Sequence, residues 1–103
     1  MIQLLERRRD ELETLCREYG VRTLEVFGSA ATDEAYDPGT SDLDFLVDFV
    51  ADKTANAADR YFGLRAALEA LFERPVDLVM TNALRNRFFI QSVNETRRVL
   101  YAA

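Results

Sequence analysis

Two aspartates at the start of an apolar segment have the residue types and the spacing to bind a metal ion. The segment runs from Asp42 to Phe49 and reads DLDFLVDF. In a strand, alternate side chains point to opposite faces. One face therefore receives Leu43, Phe45, Val47 and Phe49, and the other receives Asp42, Asp44, Leu46 and Asp48. Carboxylates two residues apart on one face lie about 6–7 Å from each other and repel by roughly 2–3 kcal/mol. A divalent cation relieves that repulsion, and Mg²⁺ prefers carboxylate oxygens, so the spacing predicts a magnesium site.

A phosphate-binding turn is predicted just upstream of the aspartates. The segment Val21 to Phe27 reads as a strand that ends at Gly28, where glycine permits a tight turn and close backbone approach. Ser29 adds a hydroxyl and an amide, and a helix that begins there would direct free N–H groups at a ligand. Phosphates held beside metal-binding carboxylates suit phosphoryl or nucleotidyl transfer, in which metal ions neutralise charge and align the reacting oxygens.

A third aspartate lies in another short apolar strand. Pro75 introduces the segment Val76 to Met80, which contains Asp77. Asp44 and Asp77 both have apolar neighbours in sequence, where an unpartnered carboxylate is costly. Each signal has a simpler reading by itself, since a Gly-Ser dipeptide occurs in many turns and Asp42 could be a turn or helix-capping residue. The joint occurrence of the turn and the aspartates favours one shared site.

Helical patterns flank these strands. Apolar residues at helical spacing predict a helix over residues 2–19, which Gly20 ends, and a second helix from Ala57 to Leu71. Residues 82–101 are predicted to form a last helix whose apolar side chains point in several directions, which favours an interface with another chain. The order of helices and strands, with a short helix expected after Ser29, indicates an α/β or α+β domain with a small sheet.

The composition excludes several classes of function. A chain of 103 residues is expected to form one domain, residues 1–103. The net charge of −5 argues against direct binding to nucleic acid, which normally requires a basic surface. The absence of histidine excludes a Ser-His-Asp triad and histidine-ligated zinc, and a single cysteine excludes an internal disulfide. Because no apolar run reaches the length of a membrane span, we expect a cytoplasmic protein without membrane contact.

These motifs resemble a known family. Gly28-Ser29, the Asp42-x-Asp44 pair and Asp77 within PVDLV are similar to the corresponding motifs of the DNA polymerase β-type nucleotidyltransferase superfamily. The short chain narrows the resemblance to minimal nucleotidyltransferases, the MNT-domain antitoxins of the MntA kind, which are found beside HEPN-domain partners. The resemblance implies a nucleotidyltransferase fold with a mixed sheet of three to four strands flanked by helices.

The resemblance also implies a role for each site residue. Asp42, Asp44 and Asp77 would hold two Mg²⁺ ions, and Asp77 would in addition help to deprotonate the acceptor hydroxyl. Gly28 and Ser29 would hold the terminal phosphates of ATP. The AMP group would pass to a tyrosine of a HEPN toxin, with release of pyrophosphate.

The sequence departs from the family pattern after the Gly-Ser pair. Family members commonly continue with basic residues and a glycine, whereas positions 30–33 here read AATD, and the spacer to Asp42 is two residues longer than usual. Arg22, Lys53 and Arg74 are candidate replacements for the missing positive charge. A second hypothesis is therefore an antitoxin that neutralises its partner by contact alone. A transferase acting on a small molecule is a third hypothesis, disfavoured because no further substrate-binding domain is present.

Overall fold

The computed structural model of the chain describes residues 2–32, 42–52 and 56–103. Five α-helices, four β-strands and one 3₁₀ turn are seen in these ranges. In chain order they are α1 (Gln3–Arg7), α2 (Arg9–Glu18), β1 (Val21–Phe27), α3 (Ser29–Thr32), β2 (Leu43–Phe49), α4 (Ala57–Phe72), β3 (Val76–Met80), the 3₁₀ turn (Thr81–Ala83), α5 (Arg87–Thr96) and β4 (Arg98–Ala102). No helix in these ranges is long and apolar enough to cross a membrane.

The four strands form one mixed sheet in the order β3-β2-β1-β4. Strand β1 is antiparallel to both of its neighbours, whereas β2 and β3 are parallel. The end of β1 therefore meets the beginnings of β2, β3 and β4 at one edge of the sheet, which carries Gly28, Asp44 and Asp77. We call this the Gly28 edge. The predicted mixed sheet of three to four strands with flanking helices is confirmed.

One face of the sheet carries the larger hydrophobic core. Leu43, Phe45 and Val47 of β2 are fully buried, as the alternation of the sequence predicts. They pack with residues of α2 and α4, and the rings of Phe45 and Phe72 stack at 6.0 Å. Cys16 lies in this core, where burial raises the pKa of its thiol to about 12. A thiol with so high a pKa stays protonated and behaves as a small apolar side chain.

A smaller apolar cluster covers the other face. Leu46, on the same face of β2 as Asp44, is fully buried with Phe27 and Val93. Helix α5 supplies Val93 and also Phe89, whose ring meets that of Phe27 edge-on at 6.0 Å. Both faces of β2 are therefore covered along most of its length, and Asp44 lies where this cover ends.

The prediction of one last helix over residues 82–101 is wrong. The backbone turns out of α5 at Arg97, which has an extended conformation with φ −58° and ψ 137°. The chain then continues as β4 and pairs with β1. Leu100 is consequently buried and Val99 exposed, as neighbours in a strand should be. The apolar residues pointed in several directions because a strand was read with a helical period, so that reason for a shared interface disappears.

Other boundaries differ less. The predicted first helix divides at Arg8 into α1 and α2. The short helix expected after Ser29 is present as α3 and begins at Ser29 itself, and the strand predicted from Val76 to Met80 is confirmed. Lys53 and positions 33–41, which hold most of the spacer before Asp42, lie outside the described residues.

A partly buried ion pair fixes the junction between α5 and β4 to the centre of the sheet. Glu25, on the α5 face of β1, accepts hydrogen bonds from Arg97 at 3.0 Å from Nε and 2.5 Å from Nη2. The hydrogen bonds to Glu25 raise the pKa of Arg97 above its ordinary value. The side chain of Glu25 is 12% exposed and that of Arg97 36%. A two-point guanidinium–carboxylate contact restricts the direction of both side chains.

We expect Arg97→Met to lower the free energy of unfolding by about 2 kcal/mol, because Glu25 would keep a buried and unpaired charge. The loss should be smaller than for a fully enclosed pair, since water reaches Arg97. Urea denaturation at pH 7.5 measures it. Arg98→Met is the matched control, because the Arg98 guanidinium donates to the backbone carbonyls of Thr96 and Arg97. Its effect should stay within about 0.5 kcal/mol, and equal losses in the two variants would contradict the role given to the ion pair.

Candidate active site

Asp44 and Asp77 are neighbours across the two parallel strands. They occupy paired positions in the register of β2 and β3, and Phe27 at the end of β1 pairs with Asp44 on its other side. Paired residues on adjacent strands are about 4.8 Å apart in the direction of the hydrogen bonds between the strands, and their side chains share one face. Asp44 is half-buried, whereas Asp77 and Asp42 are exposed. The sheet thus brings together the two aspartates that were predicted from separate segments.

Gly28 lies directly against the carboxylate of Asp44. Its φ is +75°, a conformation that residues with a Cβ rarely adopt. A Cβ at this position would lie 2.8 Å from Oδ2 of Asp44, closer than any ordinary contact. The glycine is therefore required twice, once for the turn and once for the approach of the carboxylate.

The carboxylates interact electrostatically. The pKa of Asp44 is raised from 3.8 to about 6, mainly by burial and then by the negative charges of Asp77 and Asp42. Burial and neighbouring negative charge disfavour the ionised form of Asp44, and a nearby cation would relieve both effects. The carboxylate oxygens of these aspartates are the hard ligands that Mg²⁺ prefers. Among the described residues, no three acidic, cysteine or histidine side chains already surround a point where a metal ion could sit. The residues fit a divalent cation by their chemistry and charge.

The residues that follow Gly28 belong to the core. Ser29 begins the short helix α3 and is half-buried, while Ala30 and Ala31 are 1% and 2% exposed. The carbonyl of Ala30 accepts a hydrogen bond from the N–H of Ile2, and that of Gly28 accepts one from the N–H of Ala31. Long basic side chains at positions 30 and 31 would have no room here. The departure from the family pattern therefore has a packing cause.

The candidate cations do not all lie near this edge. Arg22 is at the opposite end of β1 from Gly28 and forms an ion pair with Asp48, so its proposed role as a replacement charge is wrong. Arg74 is at the correct end, because the carbonyl of the next residue, Pro75, accepts the N–H of Leu43 at the start of β2. Lys53 lies outside the described residues.

A residue that the sequence analysis missed holds the turn. The N–H of Gly28 donates to Oγ1 of Thr96, at the end of α5, over 2.8 Å. This amide, which was expected to face a phosphate, is thus already engaged by the protein. A threonine near the end of a helix gives no sequence signal for a contact 68 residues away.

Known proteins share the sequence pattern and the fold of this chain. Residues 9–100 match the family model described as a nucleotidyltransferase domain. The chain therefore belongs to the nucleotidyltransferase-domain family and is a nucleotidyltransferase. Within that family it is homologous to the protein adenylyltransferase MntA of Thermococcus cleftensis, to which it is 39% identical over 72 residues, 70% of this chain and 68% of the relative.

Solved structures have the same fold. One, provisionally described as a minimal nucleotidyltransferase, is 32% identical with a TM-score of 0.70, and the match covers 93% of this chain and 92% of that one. Another match is to a chain in the structure of a tri-AMPylated HEPN toxin from Shewanella oneidensis in complex with an MNT antitoxin. It is 19% identical with a TM-score of 0.63, over 96% of this chain and 73% of that one, and demonstrates the fold alone.

The raised pKa of Asp44 predicts a stability effect with a definite sign. Because the pKa is about 6 in the folded protein and ordinarily 3.8, the folded state holds this proton more tightly. The stability that the bound proton gives is present at low pH and is lost as the pH rises through about 6. A shift of this size corresponds to roughly 3 kcal/mol before allowance for solvent access. In chelator at pH 7.5, we expect Asp44→Asn to raise the free energy of unfolding by about 1–2 kcal/mol, with little gain at pH 4.

Asp48→Asn is the control for this measurement, since Asp48 lies on the same face of the same strand. It accepts a hydrogen bond from Arg22 Nε at 2.8 Å, so its charge is favourable and its removal should not stabilise. Urea denaturation of both variants at the two pH values separates the cases. An equal gain in the two variants would contradict the repulsion assigned to the Gly28 edge.

Proposed function

We propose that this chain is an antitoxin that transfers AMP from ATP to a tyrosine hydroxyl of a HEPN-domain toxin. The observation that carries the proposal is the register of Asp44 with Asp77, directly below the turn at Gly28. Acidic residues from two strands, beside a glycine turn, provide oxygen ligands for a cation next to a position without a side chain. The homology to MntA adds the group that is transferred, since that relative is named a protein adenylyltransferase.

In this proposal Asp42, Asp44 and Asp77 hold two Mg²⁺ ions. The fit rests on the oxygen donors and on the repulsion that raises the pKa of Asp44. Bound Mg²⁺ supplies charge neutralisation for the phosphates and lowers the barrier to forming the attacking oxyanion. The metal ions have no further role in the proposed reaction.

The chain's own residues orient the reactants and move a proton. Ser29 and the turn at Gly28 hold the terminal phosphates, which directs the α-phosphorus toward the aspartates. Asp77, which is exposed, accepts the proton of the acceptor hydroxyl. The acceptor oxygen forms a bond to the α-phosphorus, the bond to the β-phosphate oxygen breaks, and pyrophosphate leaves. Arg74, at the same edge, contributes positive charge toward the phosphates.

The partner is inferred from the structural relatives. The matched complex pairs an MNT antitoxin with a HEPN toxin that carries AMP groups. On this chain, Phe88 of α5 is 69% exposed, and the guanidinium of Arg87 lies 5.2 Å from the centre of its ring. An exposed aromatic ring next to a cation is typical of a protein contact. This surface, rather than the misread strand β4, is the part of the last region that we assign to docking.

The second hypothesis, neutralisation by contact alone, is favoured by one observation. The buried Ala30 and Ala31 leave positions 30 and 31 without the basic residues that the family pattern provides. If Arg74 and the metal ions did not compensate, nucleotide binding would be too weak for transfer. The experiment below distinguishes the two functions.

The decisive measurement is intact-mass spectrometry of a candidate HEPN-domain partner, after incubation with this protein, ATP and Mg²⁺. We expect a mass increase of one adenylyl group for each transfer, located on tyrosine by fragmentation. Asp44→Asn should lower the rate by at least 100-fold because it removes a charged metal ligand. Asp48→Asn, on the same strand, should transfer within twofold of the unchanged protein.

Each outcome has a clear reading. A partner that co-purifies with this chain but stays unmodified would replace the catalytic function with the contact-only one. Modification that is equally fast with Asp44→Asn would contradict the site. A modified residue other than tyrosine would keep the transferase and change the acceptor.

Gly28→Ala tests the close approach at the centre of the site. The new Cβ would meet Oδ2 of Asp44 at 2.8 Å, and we expect AMP transfer to fall at least tenfold. Gly20→Ala is the matched control, since Gly20 also has a positive φ, +69°, but lies at the other end of β1. Both variants should lose about 1–2 kcal/mol of stability from the backbone conformation. Only Gly28→Ala should lose activity, and an equal loss in both would show that strain alone is responsible.

A further inference from the structure

The end of helix α5 is bonded to the turn at Gly28. Oγ1 of Thr96 accepts the N–H of Gly28 at 2.8 Å, across 68 residues of sequence. Gly28 follows the last residue of β1, so this amide lies outside the regular ladder of the sheet. The direction of the N–H fixes the peptide plane that leads into Gly28. The hydrogen bond therefore constrains the turn at its first peptide.

Thr96 is itself held firmly in place. The next residue, Arg97, donates to both oxygens of Glu25 in β1 and, from Nη1, to Asn94 at 2.8 Å. The backbone N–H of Arg97 donates to the carbonyl of Val93, which is buried against the sheet. The end of α5 is thus tied to β1 by a charged side-chain pair as well as by apolar packing. Gly28 has no side chain that could hold the turn in place. Thr96 can therefore act as a fixed point for it.

We propose that Thr96 is a positioning residue of the nucleotide site, whose hydroxyl keeps the Gly28 turn seated on Asp44. This inference rests on the proposed function. The turn carries Ser29 on one side and faces Asp44 on the other, so its orientation sets the direction of both groups toward one nucleotide. A glycine has a wide range of backbone conformations, so a hydrogen bond from outside the turn restricts it where no side chain of its own does. The hydroxyl of Thr96 selects the observed conformation before the nucleotide binds.

A positioning role differs measurably from a purely structural one. The bond joins a turn to a helix end, and neither Gly28 nor Thr96 is a member of the larger core on the opposite face of the sheet. Its loss should broaden the orientations of the turn and weaken binding of the phosphates. A purely structural role would lower thermal stability and leave the affinity for nucleotide unchanged.

The test uses the full chain with three substitutions. Thr96→Val keeps the shape of the side chain and removes the acceptor, and Thr96→Ser restores a hydroxyl. Thr14→Val is the matched control, because the Thr14 hydroxyl donates to the carbonyl of Asp10 on the exposed side of helix α2, which packs on the face of the sheet opposite α5. The dissociation constant for ATP is measured by calorimetry in Mg²⁺. The same proteins give KM for ATP and kcat in AMP transfer, and melting temperatures.

We expect Thr96→Val to raise the dissociation constant and the KM for ATP about tenfold, which is the effect of one lost hydrogen bond. Thr96→Ser should return both to within threefold of the unchanged protein, and Thr14→Val should leave both unaltered. An ATP affinity and KM in Thr96→Val within twofold of the unchanged protein would overturn the inference, whatever happens to its melting temperature. Failure of the unchanged protein to bind ATP would overturn the proposed function first, and this inference with it.

Discussion

The approach of the Asp44 carboxylate to Gly28 is the constraint on which the rest of the site depends. It requires a position without a Cβ, a backbone with positive φ, and a half-buried acid whose pKa rises to about 6. The glycine loses more conformational entropy on folding than other residues, and burial disfavours the charged form of the acid. These features persist because the surrounding strand leaves Asp44 little freedom. Leu43 and Phe45, on either side of it, are fully buried in the larger core.

The two faces of the sheet have different roles: one supplies most of the hydrophobic core, and the other leaves the aspartates accessible. The face with α2 and α4 holds most of the buried apolar side chains, so it supplies most of the hydrophobic stabilisation. The other face has the small cluster of Phe27, Leu46 and Val93 under α5. Because α5 ends at Thr96, beside the Gly28 turn, the cover stops where Asp44 and Asp77 begin. An open edge next to a closed face is what a bound nucleotide requires.

The sequence was sufficient to predict the strands that carry the site, and it failed where long-range pairing decides the structure. Alternation with period two identifies β2 because its buried residues repeat on one face. The aspartates were found because they interrupt the apolar pattern near the starts of β2 and β3. Strand β4 was missed because RVLYA is short and its pairing with β1 depends on residues more than seventy positions away. Thr96 was missed for a related reason, since a hydrogen bond to Gly28 leaves no local pattern. The burial of Ala30 and Ala31 depends on contacts of α3 with the sheet, which a comparison of motifs alone does not reveal.

The charges at the Gly28 edge set the conditions for binding a triphosphate. The whole chain has a net charge of −5, and two of its arginines are paired with acids of the sheet, Arg22 with Asp48 and Arg97 with Glu25. With Ala30 and Ala31 in the core, the turn itself adds no positive charge. In a catalytic protein, the repulsion between the aspartates and the phosphates must then be offset mainly by divalent cations, with help from Arg74. Under the proposed function, metal binding and nucleotide binding should be strongly coupled, because each brings the charge that the other needs. Such coupling would keep the transferase from using nucleotide whenever the cation is absent. It follows from the burial of Ala30 and Ala31, which leaves no room for basic side chains at the turn.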